Sequence, residues 1–221
     1  MVRDGPAVNH HLPHQDLPAP QLALIKRTVD ILISSILLLL TLPLLALVAV
    51  LVCVALGRPV FFRQQRPGYR GKPFTLYKFC TMAETFGVDG RLLPDGERLG
   101  TLGRWLRRTS LDELPELLNV LRGEMSPVGP RPLLISYLEK YNADQARRHE
   151  VRPGITGWAQ INGRNVVSWA DQLKMDVWYV DHHSLGLDLK IMLRTVWLIF
   201  SGKGVIEPGQ ATREKFTGNA V

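Results

Sequence analysis

The chain has 221 residues, of which 46% are hydrophobic, and carries a formal net charge of +7 with only two cysteines. That length accommodates one core, and Cys53 and Cys80 supply neither a disulfide framework nor metal-ligand spacing, which fits a reducing compartment. The basic charge invites a polyanion, but aromatic residues are not interleaved with the cations as an RNA-binding sheet requires, so nucleic acid is excluded as a partner.

Residues 1–22 hold Pro6, Pro13, Pro18, Pro20 and three histidines, His10, His11 and His14, without apolar periodicity, and read as a disordered extension. The histidine spacing matches no defined metal site. No short apolar region with a small-residue cleavage site precedes the long apolar run, so a signal peptide is not expected.

From Ile31 to Leu56 there are 26 residues without a charge, a length that belongs in a membrane. Pro43 lies near the middle, leaving arms of roughly 20 Å against a hydrocarbon core of roughly 30 Å. A straight helix would span the bilayer and a bent one would enter and return. Lys26 and Arg27 before the run, and Arg58, Arg63, Arg66, Arg70, Lys72 and Lys78 after it, place cations at both flanks, which favours both ends on one side. Pro43 removes a backbone donor, and Thr41 is placed to bond a freed carbonyl. A kinked spanning anchor is the plain alternative.

PVFFRQQ and FTLYKF flank a Pro-Gly-rich turn at 66–72 and predict a β-hairpin, while the polar residues 84–100 predict a loop. The stretch 109–132, TSLDELPELLNVLRGEMSPVGPRP, follows. Leu114, Leu117, Leu118 and Leu121 have the spacing of one apolar helix face, so a helix is expected to start at Asp112 and Glu113. Ser110 with Glu113 reads as a capping box, whereas Asp112 as N-cap would put Pro115 in the first turn. In either register the carboxylates sit at a helix N-terminus, where unpaired N–H groups favour ionised acids and phosphate. An ionised carboxylate there can attack phosphorus or hold Mg²⁺; the plain alternative is a pair that caps a surface helix.

Residues 133–149 read as an amphipathic helix ending in Arg147, Arg148 and His149. The segment 152–164, RPGITGWAQINGR, is a glycine-rich loop able to press its backbone against a ligand, or an ordinary turn region. Residues 168–180 are helical and carry Asp176. Over 185–200, Leu189, Leu193, Trp197 and Phe200 share a face, which suits a helix in the membrane interface or one packed on the protein's own core. Beyond residue 201 the polar tail has no clear element.

Arg107, Arg108 and Arg131 lie close in sequence to the acid pair, and arginines suit phosphate oxygens, so the composite points to phosphate chemistry at a membrane surface. KRTVDILISS, the RPG of RQQRPGYRGKPF, LYKF, RRTSLDELPELLNVLRGEMS, VGPRPL, RPGITGWAQINGRN and DVWYV together resemble the bacterial sugar transferase family, specifically its small monotopic polyprenol-phosphate phosphoglycosyl transferases, over about residues 26–215.

The resemblance implies transfer of a sugar phosphate from a UDP-sugar to a polyprenol phosphate such as undecaprenyl phosphate, with release of UMP. It implies Asp112 as the nucleophile that becomes a phosphosugar ester, Glu113 as its partner, and Mg²⁺ held by that pair. Arg107 and Arg131 are implied as phosphate-binding residues, Lys78 and Asp176 as further members of the site, and Pro153, Gly154 and Thr156 as part of the nucleotide-sugar site. The fold implied is α+β and mainly helical, with a re-entrant helix-break-helix at 23–57, one β-hairpin, amphipathic interfacial helices, a catalytic domain over 58–205 and a tail over 206–221. Membrane lipids are the other partner, and the expected location is the cytoplasmic face of a bacterial inner membrane. Leu42-Pro43 stands where many members have Ser-Pro, Cys80 stands where a basic residue is usual, and residues 1–22 have no counterpart in the family. Two rival classes are a metal-dependent phosphohydrolase using the same acids and a non-catalytic binder of anionic lipid. The sugar is not readable, because discrimination among UDP-sugars rests on pocket shape.

Overall fold

The computed structural model describes residues 20–163, 167–201 and 215–218. Most of the N-terminal extension expected over 1–22, its three histidines, Arg164 and most of the tail expected over 206–221 therefore lie outside the described residues.

Helix α1, Pro20–Leu56, runs through Pro43 as one element of 37 residues. The helix-break-helix expected from the proline is thus not seen as two helices. Leucine and alanine carry the helical propensity on both sides, and a proline takes away only one donor. The donor lost is the one that would reach Leu39, yet the Thr41 hydroxyl donates to the Leu37 carbonyl at 2.7 Å, an ordinary back-bond one turn earlier.

Both ends of α1 are tied to the rest of the protein. At the N-terminal end Lys26 Nζ donates to Asp188 (2.5 Å) and to Ser126 Oγ (3.1 Å), and Arg27 donates to the carbonyls of Val120 and Leu121. At the other end Val48 and Val52 are fully buried against Phe79 and Leu106. Between them the outer face is bare, with Leu39 and Leu40 more than 70% exposed.

Strands β1 (Phe61–Pro67) and β2 (Pro73–Phe79) form the expected antiparallel hairpin, with Phe61 opposite Phe79 and Phe62 opposite Lys78. Residues 84–100 are mostly loop, with an isolated bridge from Phe86 to Leu92 and one short helix, α2 (Asp95–Arg98). Helices α3 (Thr101–Thr109) and α4 (Glu116–Arg122) follow, and Gly123 in the left-handed region (φ 85°) ends α4. A second, two-stranded sheet pairs β3 (Ser126–Val128) in parallel with β4 (Gly154–Thr156).

The amphipathic helix expected over 133–149 is broken into a 3-10 stretch at Ile135–Lys140, a short helix α5 (Ala143–Ala146) and a 3-10 turn at Arg147–His149. Asn142 explains the restart. Its side chain accepts from the Gln145 N–H while Gln145 Oε1 accepts from the Asn142 N–H, a capping box that opens a new helix. Helices α6 (Trp158–Asn162), α7 (Trp169–His182) and α8 (Leu185–Ser201) follow, with Ser168 capping α7 as its hydroxyl accepts from the Asp171 N–H. On α8 the predicted stripe is exposed, Leu193 at 63% and Phe200 at 86%, while Ile191 and Leu198 face the interior. The stripe is therefore free of the core, as an interfacial helix requires.

Candidate active site

The site forms where α3 meets α4. Helix α3 stops because Ser110 turns left-handed (φ 55°, ψ 20°), and Leu111–Glu113 make a 3-10 turn before Pro115 opens α4. Both sequence registers are thereby corrected: Ser110 ends a helix and makes no side-chain cap, and Asp112 is not an N-cap. Proline, which has no N–H to donate, is well tolerated at a helix start, so the helix resumes there and leaves the acid pair in the turn.

This placement changes what ionises the pair. Lys78 Nζ, from β2, donates to Glu113 Oε1 at 2.6 Å, and Arg131 Nη2 donates to the same oxygen at 2.5 Å. Burial alone would push the Glu113 carboxyl up, but the adjacent Arg131 and Lys78 charges hold it well below the usual carboxylate range. Arg131 is raised in return, chiefly by Glu113.

Asp112 differs. It is 8% exposed, and among the described residues no hydrogen bond or ion pair reaches its carboxylate. Burial, and after it the Glu113 charge, raises its pKa, while Lys78, Arg131 and Arg107 work to lower it. One acid is thus neutralised by neighbours and the other stands unengaged beside them. Arg107 is held from α3 by its Nε donating to Thr81 Oγ1 at 3.0 Å.

Lys78, Arg107, Asp112, Glu113 and Arg131 line one cleft of about 1220 Å³. The remaining sequence candidates lie elsewhere. Asp176 is fully buried and paired with Arg148 (2.7 Å), whose guanidinium also donates to the Arg131 carbonyl, so Asp176 reaches the cleft only through the backbone that carries Arg131. Pro153 and Gly154 sit where β4 crosses Gly129: a Cβ on Gly154 would lie 2.0 Å from the Gly129 nitrogen, and one on Gly129 would lie 2.3 Å from the Arg152 carbonyl oxygen. The Thr156 hydroxyl bonds that of Thr195 on α8 at 2.7 Å. In this loop the glycines press backbone against backbone.

Two residues not singled out from sequence complete the cluster. Glu116, 2% exposed, lies 3.1 Å from Lys78, and burial raises its pKa to about 7. Asn119 is fully buried, donates to the Thr75 carbonyl and to Glu124, and accepts from the Tyr77 N–H, which fixes α4 to the strand that presents Lys78. A partial signal existed for Glu116, four residues after Asp112 and three after Glu113, but the leucine spacing around it reads as an apolar face.

A cation-lined cleft with one engaged and one unengaged carboxylate, beside a long apolar helix, defines a membrane-associated enzyme of phosphate transfer. The chain belongs to the bacterial sugar transferase family, whose profile matches residues 21–202, and is a sugar-phosphate transferase. It is 52% identical over 196 residues to the sugar transferase EpsL of Bacillus subtilis strain 168, described as uncharacterized, covering 89% of this chain and 97% of that protein. It is 39% identical over 196 residues to the exopolysaccharide production protein ExoY of Rhizobium meliloti strain 1021, covering 81% and 87%. Identity is 40% over 190 residues to the UDP-glucose:undecaprenyl-phosphate glucose-1-phosphate transferase of Escherichia coli K12; that match takes in 81% of this chain and 41% of the relative's length.

Proposed function

We propose that the protein transfers a sugar phosphate from a UDP-sugar to a polyprenol phosphate, undecaprenyl phosphate being the acceptor in the name of the Escherichia coli relative. The observation that carries this reading is the Asp112 carboxylate, buried in a cationic cleft yet free of any described protein partner.

An Asp112 oxygen attacks the sugar-bearing phosphorus, the phosphoanhydride P–O bond breaks, and UMP leaves with the bridging oxygen. An oxygen of the lipid phosphate then attacks the same phosphorus, the aspartyl P–O bond breaks, and the carboxylate is regenerated. Arg107, Lys78 and Arg131 offset the charge that builds on the phosphoryl oxygens, and Glu113 keeps the last two cations pointed at the reaction centre. The donor set suits Mg²⁺: Asp112 is unengaged and Glu113 offers Oε2, and a hard divalent ion takes one or two carboxylates along with substrate phosphates. Bound there, Mg²⁺ supplies further neutralisation of the diphosphate. The docking of both ends of α1 on one domain, with an exposed apolar middle, supports a re-entrant insertion that keeps the catalytic domain on the cytoplasmic face of the inner membrane.

The test offers a panel of UDP-sugars with undecaprenyl phosphate and measures UMP. Asp112→Asn is expected to lower the rate by about 10³-fold or more, as removal of a nucleophile does. Since burial raises the Asp112 pKa, the rate should fall on acidification with a midpoint above the ordinary 3.8. Turnover that persists in Asp112→Asn, or release of free sugar phosphate without lipid, would overturn the reading.

A further inference from the structure

The cleft is longer than the reacting group needs, and its two ends differ in chemistry. Along β1 and β2 one hairpin face carries Phe62 opposite Lys78, Gln64 opposite Leu76, and Arg66 beyond them, and all five line the cleft. Arg66 lies four residues along the strand from Phe62, roughly 13 Å at about 3.3 Å per residue. The near end is contiguous with the membrane helix: Leu56, Arg58, Phe61 and Phe62 line it, and both phenylalanines are more than 40% exposed. An apolar carrier can enter only where apolar surface continues into the bilayer.

The far end is built differently. Arg66 Nη2 donates to Gln64 Oε1 at 2.6 Å and Nη1 to the Pro132 carbonyl at 3.4 Å, while Nε is buried without a partner. A half-buried guanidinium whose Nε is enclosed without a partner, standing near Arg131, is costly unless an anion accompanies it. Burial and the Arg131 charge lower the Arg66 pKa to about 10, the sign of a cation short of counter-charge.

The chain end adds a second cation. Phe216 is buried with Leu133, Tyr137 and Leu173, its N–H donates to Tyr137 Oη (3.1 Å), and its carbonyl accepts from Lys140 (3.0 Å). This anchor holds Lys215 in the cleft wall beside Tyr137 and Leu134, and among the described residues Lys215 has no acidic partner. The remaining edge of the cleft carries Glu84, together with Asp95, whose charge is offset by Arg98 at 3.3 Å.

We propose that the end of the cleft formed by Arg66, Tyr137 and Lys215 is the nucleotide subsite, where Arg66 and Lys215 bind the phosphate that leaves within the nucleoside monophosphate. This rests on the transferase reading above. It moves the nucleotide from the glycine-rich loop at 153–156, whose close contacts are spent on β3, to a hairpin strand and the returning chain end. Donor and lipid then approach Asp112 from opposite ends, so neither has to cross the other's path.

The experiment uses the full chain in bilayer nanodiscs and measures direct binding of UMP and of UDP, alongside steady-state transfer from the active UDP-sugar. Arg66→Ala and Lys215→Ala should each weaken UMP binding about tenfold or more, the usual cost of losing a charge-assisted hydrogen bond. They should raise the KM for the UDP-sugar by a similar factor and leave the KM for undecaprenyl phosphate unchanged. Lys215 is exposed, so its variant is expected to fold normally even where Arg66→Ala does not. If UMP binds both variants as tightly as wild type, or if the lipid KM rises instead, the subsite is wrong. If the wild type binds UMP but transfers nothing to lipid, the transferase reading fails and the subsite stands.

Discussion

Lys78 answers to two carboxylates, Glu113 at 2.6 Å and Glu116 at 3.1 Å, and one ammonium cannot fully neutralise both in a buried place. Glu113 has Arg131 in contact as well and stays ionised; Glu116 is paired directly with Lys78 alone among the described residues, and its burial outweighs the Lys78 and Arg131 charges and raises its pKa from 4.5 to about 7. The folded state therefore holds a proton on Glu116 that the unfolded chain has released. The stabilisation is fully present below about pH 4.5 and is lost as pH rises through about 7. His149 acts in the opposite sense, since burial lowers its pKa from 6.5 to about 4 and acidification costs stability there. Comparing Glu116→Gln with wild type isolates the carboxylate: the variant's Tm relative to wild type should rise with pH between those two values, and a pH-independent difference would refute the assignment. At this scale the sequence was legible where a charged motif announced itself, as with Asp112, Glu113, Arg107 and Arg131. Glu116 was hidden by the apolar periodicity of its own helix.

That helix also shows how an element can be read correctly in kind and wrongly in orientation. The spacing of Leu114, Leu117, Leu118 and Leu121 predicts a leucine face turned inward. In the structure the buried face of α4 is Glu116, Leu117, Asn119 and Val120, and Leu118 is 41% exposed. The rotation follows from polar contacts that periodicity cannot weigh, Asn119 with β2 and Glu116 with Lys78. The segment 152–157 was open in sequence for a related reason, since a ligand-facing loop and an ordinary turn share the same glycine and proline pattern. Glycine signals close approach, but sequence does not say to what. Gly154 meets the Gly129 nitrogen, so Gly154→Ala should force β3 and β4 apart at a cost of about 1–3 kcal/mol, seen as a lower Tm. If Gly154 served a ligand instead, the variant would keep its Tm and lose only substrate binding. The hairpin, α7 and α8 were all predictable, since each has one strong period and clear boundary residues.

Across the whole molecule, one polar knot joins elements far apart in the chain. Lys26 from α1 meets Asp188 from α8; the Tyr179 hydroxyl from α7 donates to the same Asp188 at 2.6 Å and lies 3.2 Å from the Val128 carbonyl oxygen on β3. All of these groups are buried or nearly so, and removing one partner leaves another charge stranded. Asp188→Ala should therefore destabilise the protein by about 3 kcal/mol, measured by denaturant unfolding in detergent. A change below about 0.5 kcal/mol would show the knot to be dispensable. No periodicity or composition rule could have paired residues 26 and 188; only the pattern of charges at the flanks of the apolar run hinted that they mattered.

Because α1 is fastened near both of its ends, it has no hinge of its own with which to tilt against the enzyme that carries it. Under the re-entrant insertion proposed above, helix and catalytic body would ride the lipid surface as a single raft. The height of Asp112 above the headgroups would then be a dimension of the fold, set once by the contacts of residues 26–30 and 48–52, and not something the surrounding bilayer has to adjust.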